Sequence, residues 1–267
     1  MKILYLNILK GCEEPDRFEK LVRFLREEKA DVVGLSELYG WDKDNFKRLA
    51  HFKKAAGYKY DAFGFSENNR HLALFCNQPF QDTHVYSQGF HCAAVRSAVD
   101  FDGKKTVFFL AHLSPRSEDD RLAELGVLAE DFNTGAAQVF MGDLNSLSAR
   151  DRYDAASLLA ETKRLGLEKF GKNEIRTEVT AFLEQQGFVD AVSRMASGFE
   201  YSVPTDYNRD VAHFSQLRLD YIYVSGQAVA GLKNAQIFRN PATNELSDHF
   251  PVLAEIGLSE SAVHGSR

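Results

Sequence analysis

The sequence predicts a mixed α/β domain, and three observations carry that reading. Short apolar runs rich in β-branched and aromatic residues alternate with longer stretches whose apolar residues recur at helical spacing. The 267 residues are enough for one core that buries about three quarters of the unfolded surface. Phe is abundant at 21 and Pro scarce at 6, which favours a filled core over open linkers. No internal repeat interrupts the pattern, so residues 1–258 are expected to form one domain and 259–267 a flexible tail.

Residues 3–8 read as a strand in which Asn7 puts an amide where an apolar residue is expected. Residues 16–29 form a helix whose Phe18, Leu21, Val22 and Leu25 share a face. Residues 31–36 make a buried strand ending at Glu37, and 41–57 a second helix stopped by Gly57. Short strands follow at 60–65, 72–76, 83–87, 92–101 and 106–111, the last running into His112. Asp102-Gly103 between two of them is a hairpin signal. Residues 118–132 are helical through Leu122, Leu125, Leu128 and Ala129, with Arg121 assigned to the helix surface. After a strand at 138–141 come helices at 151–165 and 179–186. Residues 195–216 are an aperiodic loop, in which Phe199, Tyr201, Tyr207 and Phe214 are candidates to shape a pocket. Strands at 217–225, bearing Asp220, at 231–238 and at 252–256 complete the chain, the last preceded by Ser247-Asp248-His249.

Met141-Gly142-Asp143-Leu144-Asn145-Ser146 is the stretch the rest is organised around. Gly142 permits a sharp change of direction, and Asp143 and Asn145 alternate, so that a carboxylate and an amide leave the strand end on one face. Such a pair suits metal-assisted attack on phosphate, although Asp and Asn are also ordinary turn residues. The companions decide between these readings. Asn7, Glu37, His112, Asp143 with Asn145, Asp220 and Asp248-His249 all stand at the ends or starts of apolar strands, where one sheet edge gathers side chains into a site. Hard oxygen donors suited to Mg²⁺, two histidines and no thiolate cluster point to phosphate chemistry.

Composition narrows the partners. A net charge of −6 lacks the basic excess of a binder of long polyanions. Cys12, Cys76 and Cys92 have neither disulfide-framework nor zinc-ligand spacing and are expected to be reduced core thiols. The first residues read as a strand and no apolar run approaches the roughly 18 residues of a membrane span. A cytoplasmic monomer without a membrane span is the expectation.

Leu6-Asn7, Gly34-Leu35-Ser36-Glu37, His112-Leu113, Gly142-Asp143-Leu144-Asn145, Leu219-Asp220-Tyr221 and Ser247-Asp248-His249, in this order over nearly the whole chain, resemble the endonuclease/exonuclease/phosphatase superfamily. The resemblance implies a four-layered α/β sandwich, two mostly antiparallel sheets face to face with helices outside. It implies a Mg²⁺-dependent phosphoesterase, with Mn²⁺ as a substitute, that cleaves a phosphodiester or phosphomonoester by in-line attack of water. Glu37 becomes the principal metal ligand, supported by Asn7 and Asp248. Asp143 orients or deprotonates the water, Asn145 holds the water or a phosphate oxygen, His112 donates to a non-bridging oxygen, and His249, fixed by Asp220, contacts the scissile phosphate. Arg218, beside the Asp220 strand, is a candidate substrate contact. Apurinic endonucleases usually carry Tyr where His112 stands and Trp before the final Ser-Asp-His, so the deoxyribonuclease, sphingomyelinase and deadenylase side of the superfamily is closer. The competing readings are a deoxyribonuclease-like endonuclease and a non-catalytic phosphate-binding module; retention of the whole polar set speaks against the latter. The substrate stays open among nucleic acid, nucleotide, lipid head group and sugar phosphate.

Overall fold

A computed structural model describes residues 1–133 and 135–257, so the expected tail lies outside the described residues. The elements in chain order are β1 (Lys2–Asn7), α1 (Pro15–Glu28), β2 (Val32–Ser36), α2 (Lys43–Ala56), β3 (Tyr60–Gly64), β4 (Leu72–Cys76), β5 (Phe80–Tyr86), β6 (Ala93–Phe101), β7 (Lys104–His112), α3 (Glu118–Ala129), β8 (Ala137–Asp143), α4 (Ala155–Arg164), α5 (Glu178–Gln185), β9 (Val189–Asp190), α6 (Ala191–Met195), β10 (Asp220–Ser225), α7 (Gln227–Gly231), β11 (Leu232–Ile237) and β12 (Val252–Ile256). Two six-stranded sheets result, ordered β11-β12-β1-β2-β4-β3 and β5-β6-β7-β8-β10-β9. Each is antiparallel except for one central parallel pair, β1 with β2 and β7 with β8, and each parallel pair is joined through a helix, α1 or α3.

Strand alternation builds the layers. Ile3 and Tyr5 of β1 face the second sheet and share a core with Phe108, Leu110, Val139 and Met141, whereas Leu4 and Leu6 face Phe18, Leu21, Leu25 and Phe52 of α1 and α2. In the second sheet Phe109, Phe140, Tyr221 and Tyr223 turn outward onto Leu125, Leu128 and Leu183 of α3 and α5. Helices, sheet, sheet and helices are therefore the four layers. A Cβ on Gly34 would stand 2.9 Å from Leu110 Cδ1 and 3.0 Å from Met141 Sδ, which is why this inward position carries no side chain.

Several boundaries differ from the sequence reading. Trp41 is not helical; it is buried and donates from Nε1 to Gly11 O at 2.9 Å. The expected helix at 151–165 begins only at Ala155, after a short 3₁₀ turn, because Asp154 caps it by accepting from Ser157 N at 3.2 Å. The strand assigned from residue 217 begins at Asp220, and α6 and α7 are short helices that periodicity does not show. The Asp102-Gly103 hairpin is present, with φ of 55° and 81° at its two central residues. All three cysteines are buried and free. No helix among the described residues is long and apolar enough to cross a membrane.

Candidate active site

The topology explains why the polar residues meet. Two parallel strands end at the same edge of their sheet, so Asn7 and Glu37 close β1 and β2 together, as His112 and Asp143 close β7 and β8. An antiparallel neighbour starts where its partner ends: Asp220 opens β10 directly opposite Asp143, and Asp248-His249 leads into β12 beside β1. One pocket of about 390 Å³ is lined by Glu37, His112, Asp143, Asn145, Asp248 and His249. A larger groove of about 710 Å³ between α1 and α2 contains none of them.

The turn chemistry is specific. Gly142 remains inside β8, and a Cβ there would lie 1.8 Å from Ala111 O, so close strand approach, not a change of direction, demands the glycine. The chain turns at Asn145, φ 51°, whose backbone N–H donates to Asp143 Oδ1 at 2.9 Å and whose Nδ2 donates to Leu113 O at 2.9 Å. Glu37 has φ 62°, a left-handed conformation uncommon for this residue type, and accepts from Lys10 N at 3.1 Å and Asn7 Nδ2 at 3.4 Å. Asn7 Nδ2 also lies 3.2 Å from Asp143 Oδ2, which ties the two sheets together at the site.

Charges in the second sheet's corner neutralise one another. Asp143 Oδ2 lies 3.5 Å from His112 Nε2 and 3.9 Å from His249 Nε2. Burial would raise the Asp143 carboxyl, but His112, His249 and Lys169 outweigh it and hold it down at about 2. Asp220 Oδ2 lies 2.7 Å from His249 Nδ1. Against its burial, His249 is pushed up to about 10 by Asp220, Asp248 and Asp143, while burial raises Asp220. His112, likewise buried, is pushed up to about 9 by Cys92, Asp143 and Glu37.

The first sheet's corner is different. Burial leaves the Asp248 carboxyl above its ordinary range, against the pull of His249 and with a smaller push from Glu37. Two hard carboxylates, with the Asn7 amide beside Glu37, suit a hydrated divalent cation. Two other groups, His213 with Asp248 and His249, and Asp143 with Asp220 and His249, bring their ligand atoms within 4.8 Å of one another. Both need His249, whose Nδ1 is bonded to Asp220 and whose ring stays protonated, so the oxygen set is the better fit.

Arg218 does not join the site. It is 1 % exposed, pairs with Asp151 at 2.8 Å and Asp190 at 2.7 Å, and stacks over Tyr221 at 4.6 Å. Arg121 is not on the helix surface either: it is 0 % exposed and paired with Glu118 at 2.8 Å. The loop aromatics do not line the pocket. Phe199 packs on Tyr153, Tyr201 on Phe250, Tyr207 on Arg17, and Phe214 against the cluster around Leu147. The same loop instead contributes Arg209, Asp210, Val211 and His213, and Lys10, Arg70 and Lys169 add cations from elsewhere. Arg70 donates to Tyr39 Oη at 2.6 Å. Lys10, Lys169, Arg209, Asp210, Val211 and His213 gave no local signal in the sequence, whereas Arg70, like Arg218, reads there as either a surface charge or a phosphate-site support.

The profile of the Endonuclease/Exonuclease/phosphatase family matches residues 4–249. No curated protein matches the sequence significantly. Among solved structures, an AP endonuclease from Archaeoglobus fulgidus is similar at TM-score 0.70 and 17% identity, over 96% of this chain and 99% of that one. The 3' phosphatase NExo from Neisseria, bound to a product DNA hairpin, gives 0.68 at 20% identity over 96% and 99%. TDP2 from D. rerio, complexed with a single-strand DNA product, gives 0.66 at 18% identity over 95% and 97%. At these identities the likeness concerns the fold, and it extends to an AP endonuclease even though His112 and Leu246 depart from the apurinic pattern. The chain belongs to the endonuclease/exonuclease/phosphatase family and is a hydrolase of phosphate ester bonds.

Proposed function

We propose that the protein is a Mg²⁺-dependent phosphoesterase that acts on a compact phosphate ester, foremost one at a short nucleic-acid end. The observation that carries this reading is Asp143 held ionised between two protonated imidazoles in a single pocket. Water attacks phosphorus in line with the leaving oxygen; a P–O bond to water forms as the bond to the leaving group breaks. Asp143, at about 2, is too weak a base to ionise free water. It orients the water and takes its proton as the new bond makes that proton acidic. Asn145 holds the water or a phosphate oxygen. His112 and His249 donate to the non-bridging oxygens, where charge develops, and Asp220 fixes the tautomer and charge of His249. Asn7, Glu37 and Asp248 would hold the cation, which supplies positive charge to the phosphoryl group when bound.

The substrate class rests on the pocket. About 390 Å³ accommodates a nucleotide-sized group, and Lys10, Arg70, Lys169 and Arg209 gather at this opening on a chain of net charge −6. The neighbours solved with a DNA hairpin product and a single-strand DNA product support a nucleic-acid end. A hydrolysis panel at fixed Mg²⁺ and moderate salt tests it, comparing bis-p-nitrophenyl phosphate, 3'- and 5'-phosphorylated oligonucleotides, plasmid and abasic DNA, RNA, sphingomyelin, and inositol and sugar phosphates. Turnover of terminal phosphates above plasmid is the expected result. Rapid nicking of plasmid, with His249→Ala inert, would make the protein a deoxyribonuclease-like endonuclease instead.

A further inference from the structure

Lys169 carries a charge that no carboxylate among the described residues pairs with. It lies between α4 and α5, is 7 % exposed and lines the pocket with Asp143 and Asn145. Among the described residues no carboxylate comes within 4.0 Å of its ammonium, which lies 5.3 Å from the Phe170 ring centroid. The side chain is largely buried and its ammonium opens to the pocket, a position where desolvation costs stability with no bonded carboxylate to offset it.

The backbone around it is anchored. Arg121 Nη2 donates to Lys169 O at 2.5 Å and Nη1 to Ser114 O at 2.9 Å. Its partner Glu118 accepts from Ser146 Oγ at 2.8 Å and from Val179 N at 2.9 Å. One buried ion pair therefore fastens the Lys169 segment to the chain just after His112 and just after Asn145. A side chain carried on a backbone fastened at its carbonyl, with no carboxylate partner at its charged end, is placed to meet something brought into the pocket.

We propose that Lys169 is a further catalytic residue whose ammonium donates to an oxygen of the phosphoryl group held by His112 and His249. The inference rests on the phosphoesterase reading above. Burial holds the Lys169 ammonium below its ordinary range, and Asp143 and Asp210 are the nearby carboxylates that offset part of that.

The test uses the full chain with Lys169→Met and Lys169→Arg, and inorganic phosphate as the probe. Turnover on the best ester of the panel, phosphate affinity by calorimetry in Mg²⁺ and Tm are read for each. Lys169→Met is expected to lower kcat about 10²-fold, to weaken phosphate binding about tenfold or more, as one lost charge-assisted donor would, and to leave Tm unchanged or higher. Lys169→Arg is expected to recover part of both losses. Wild-type phosphate affinity in Lys169→Met, or a lowered Tm with normal turnover per folded molecule, would overturn the proposal. If the wild type hydrolyses no ester, the phosphoesterase reading fails, and the phosphate titration still decides the role of Lys169.

Discussion

The two corners of the site differ in what balances their charge. In the first sheet's corner Glu37 receives neutral donors, the Lys10 N–H and the Asn7 amide, and burial holds Asp248 above its ordinary range although His249 Nε2 lies 3.9 Å from it. In the second sheet's corner Asp143 faces His112 and His249, and Asp220 is bonded to His249 at 2.7 Å. On the proposed reading a cation from solution would complete the first corner, whereas the second is neutralised by the chain itself. Damage to the first should therefore be repairable from solution, and damage to the second should not.

The largest effects are expected in the second corner. Asp143→Asn should lower kcat by about 10²- to 10³-fold with the fold retained, as steady-state kinetics and circular dichroism would show. His249→Ala should lose a similar factor and also stability, about 3–5 kcal/mol in urea denaturation, because Asp220 is 0 % exposed and loses its charged partner. Adding Asp220→Asn to His249→Ala should restore much of that stability and none of the rate. Equal stability of His249→Ala and wild type would break the claim that this corner neutralises itself.

Arg218→Met sharpens the contrast between site and scaffold. It leaves Asp151 and Asp190 buried without their cation, so a loss of about 3–5 kcal/mol is expected, with turnover per folded molecule unchanged. A large rise in KM with normal stability would return Arg218 to the substrate.

A smaller effect is in the pH dependence. With Asp143 held at about 2, His112 at about 9 and His249 at about 10, the rate should be flat through neutrality, falling as pH rises through about 9 to 10, where the two imidazoles lose their protons, and near the acid extreme. Asp220→Asn removes the carboxylate that does most to elevate His249, so the His249 part of the alkaline limb should move toward neutrality. Stability follows the same sign. A folded value above the ordinary 6.5 contributes stability that is fully present below about 6.5 and is lost as pH climbs through about 10. That slope should be reduced in Asp220→Asn.

The strand-end residues were legible in the sequence because each breaks a simple pattern: Asn7 interrupts an apolar run, and Glu37, His112 and Asp143 terminate one. Order along the chain, combined with family resemblance, then implied the sandwich. Arg121 was misread although it stands four and seven residues before Leu125 and Leu128, on the buried face of α3; a charge on an apolar face is invisible to a pattern that counts only apolar residues. Lys169 and His213 lie in segments without periodicity, and only tertiary packing brings them to the pocket. The loop aromatics mislead for a related reason: an aperiodic segment can fill its own core as readily as it can line a site. Gly142 was identified for the wrong cause, since the Ala111 carbonyl that excludes a Cβ belongs to a neighbouring strand.

The most direct test of the difference between the corners is a Mg²⁺ titration of hydrolysis rate for wild type, Glu37→Gln and Asp143→Asn after chelation. The account predicts no activity in excess chelator with Tm little changed, Glu37→Gln recovering most of its rate at much higher Mg²⁺, and Asp143→Asn remaining low at every Mg²⁺ concentration. Full activity in chelator, or recovery of Asp143→Asn by Mg²⁺ to the same extent as Glu37→Gln, would contradict it.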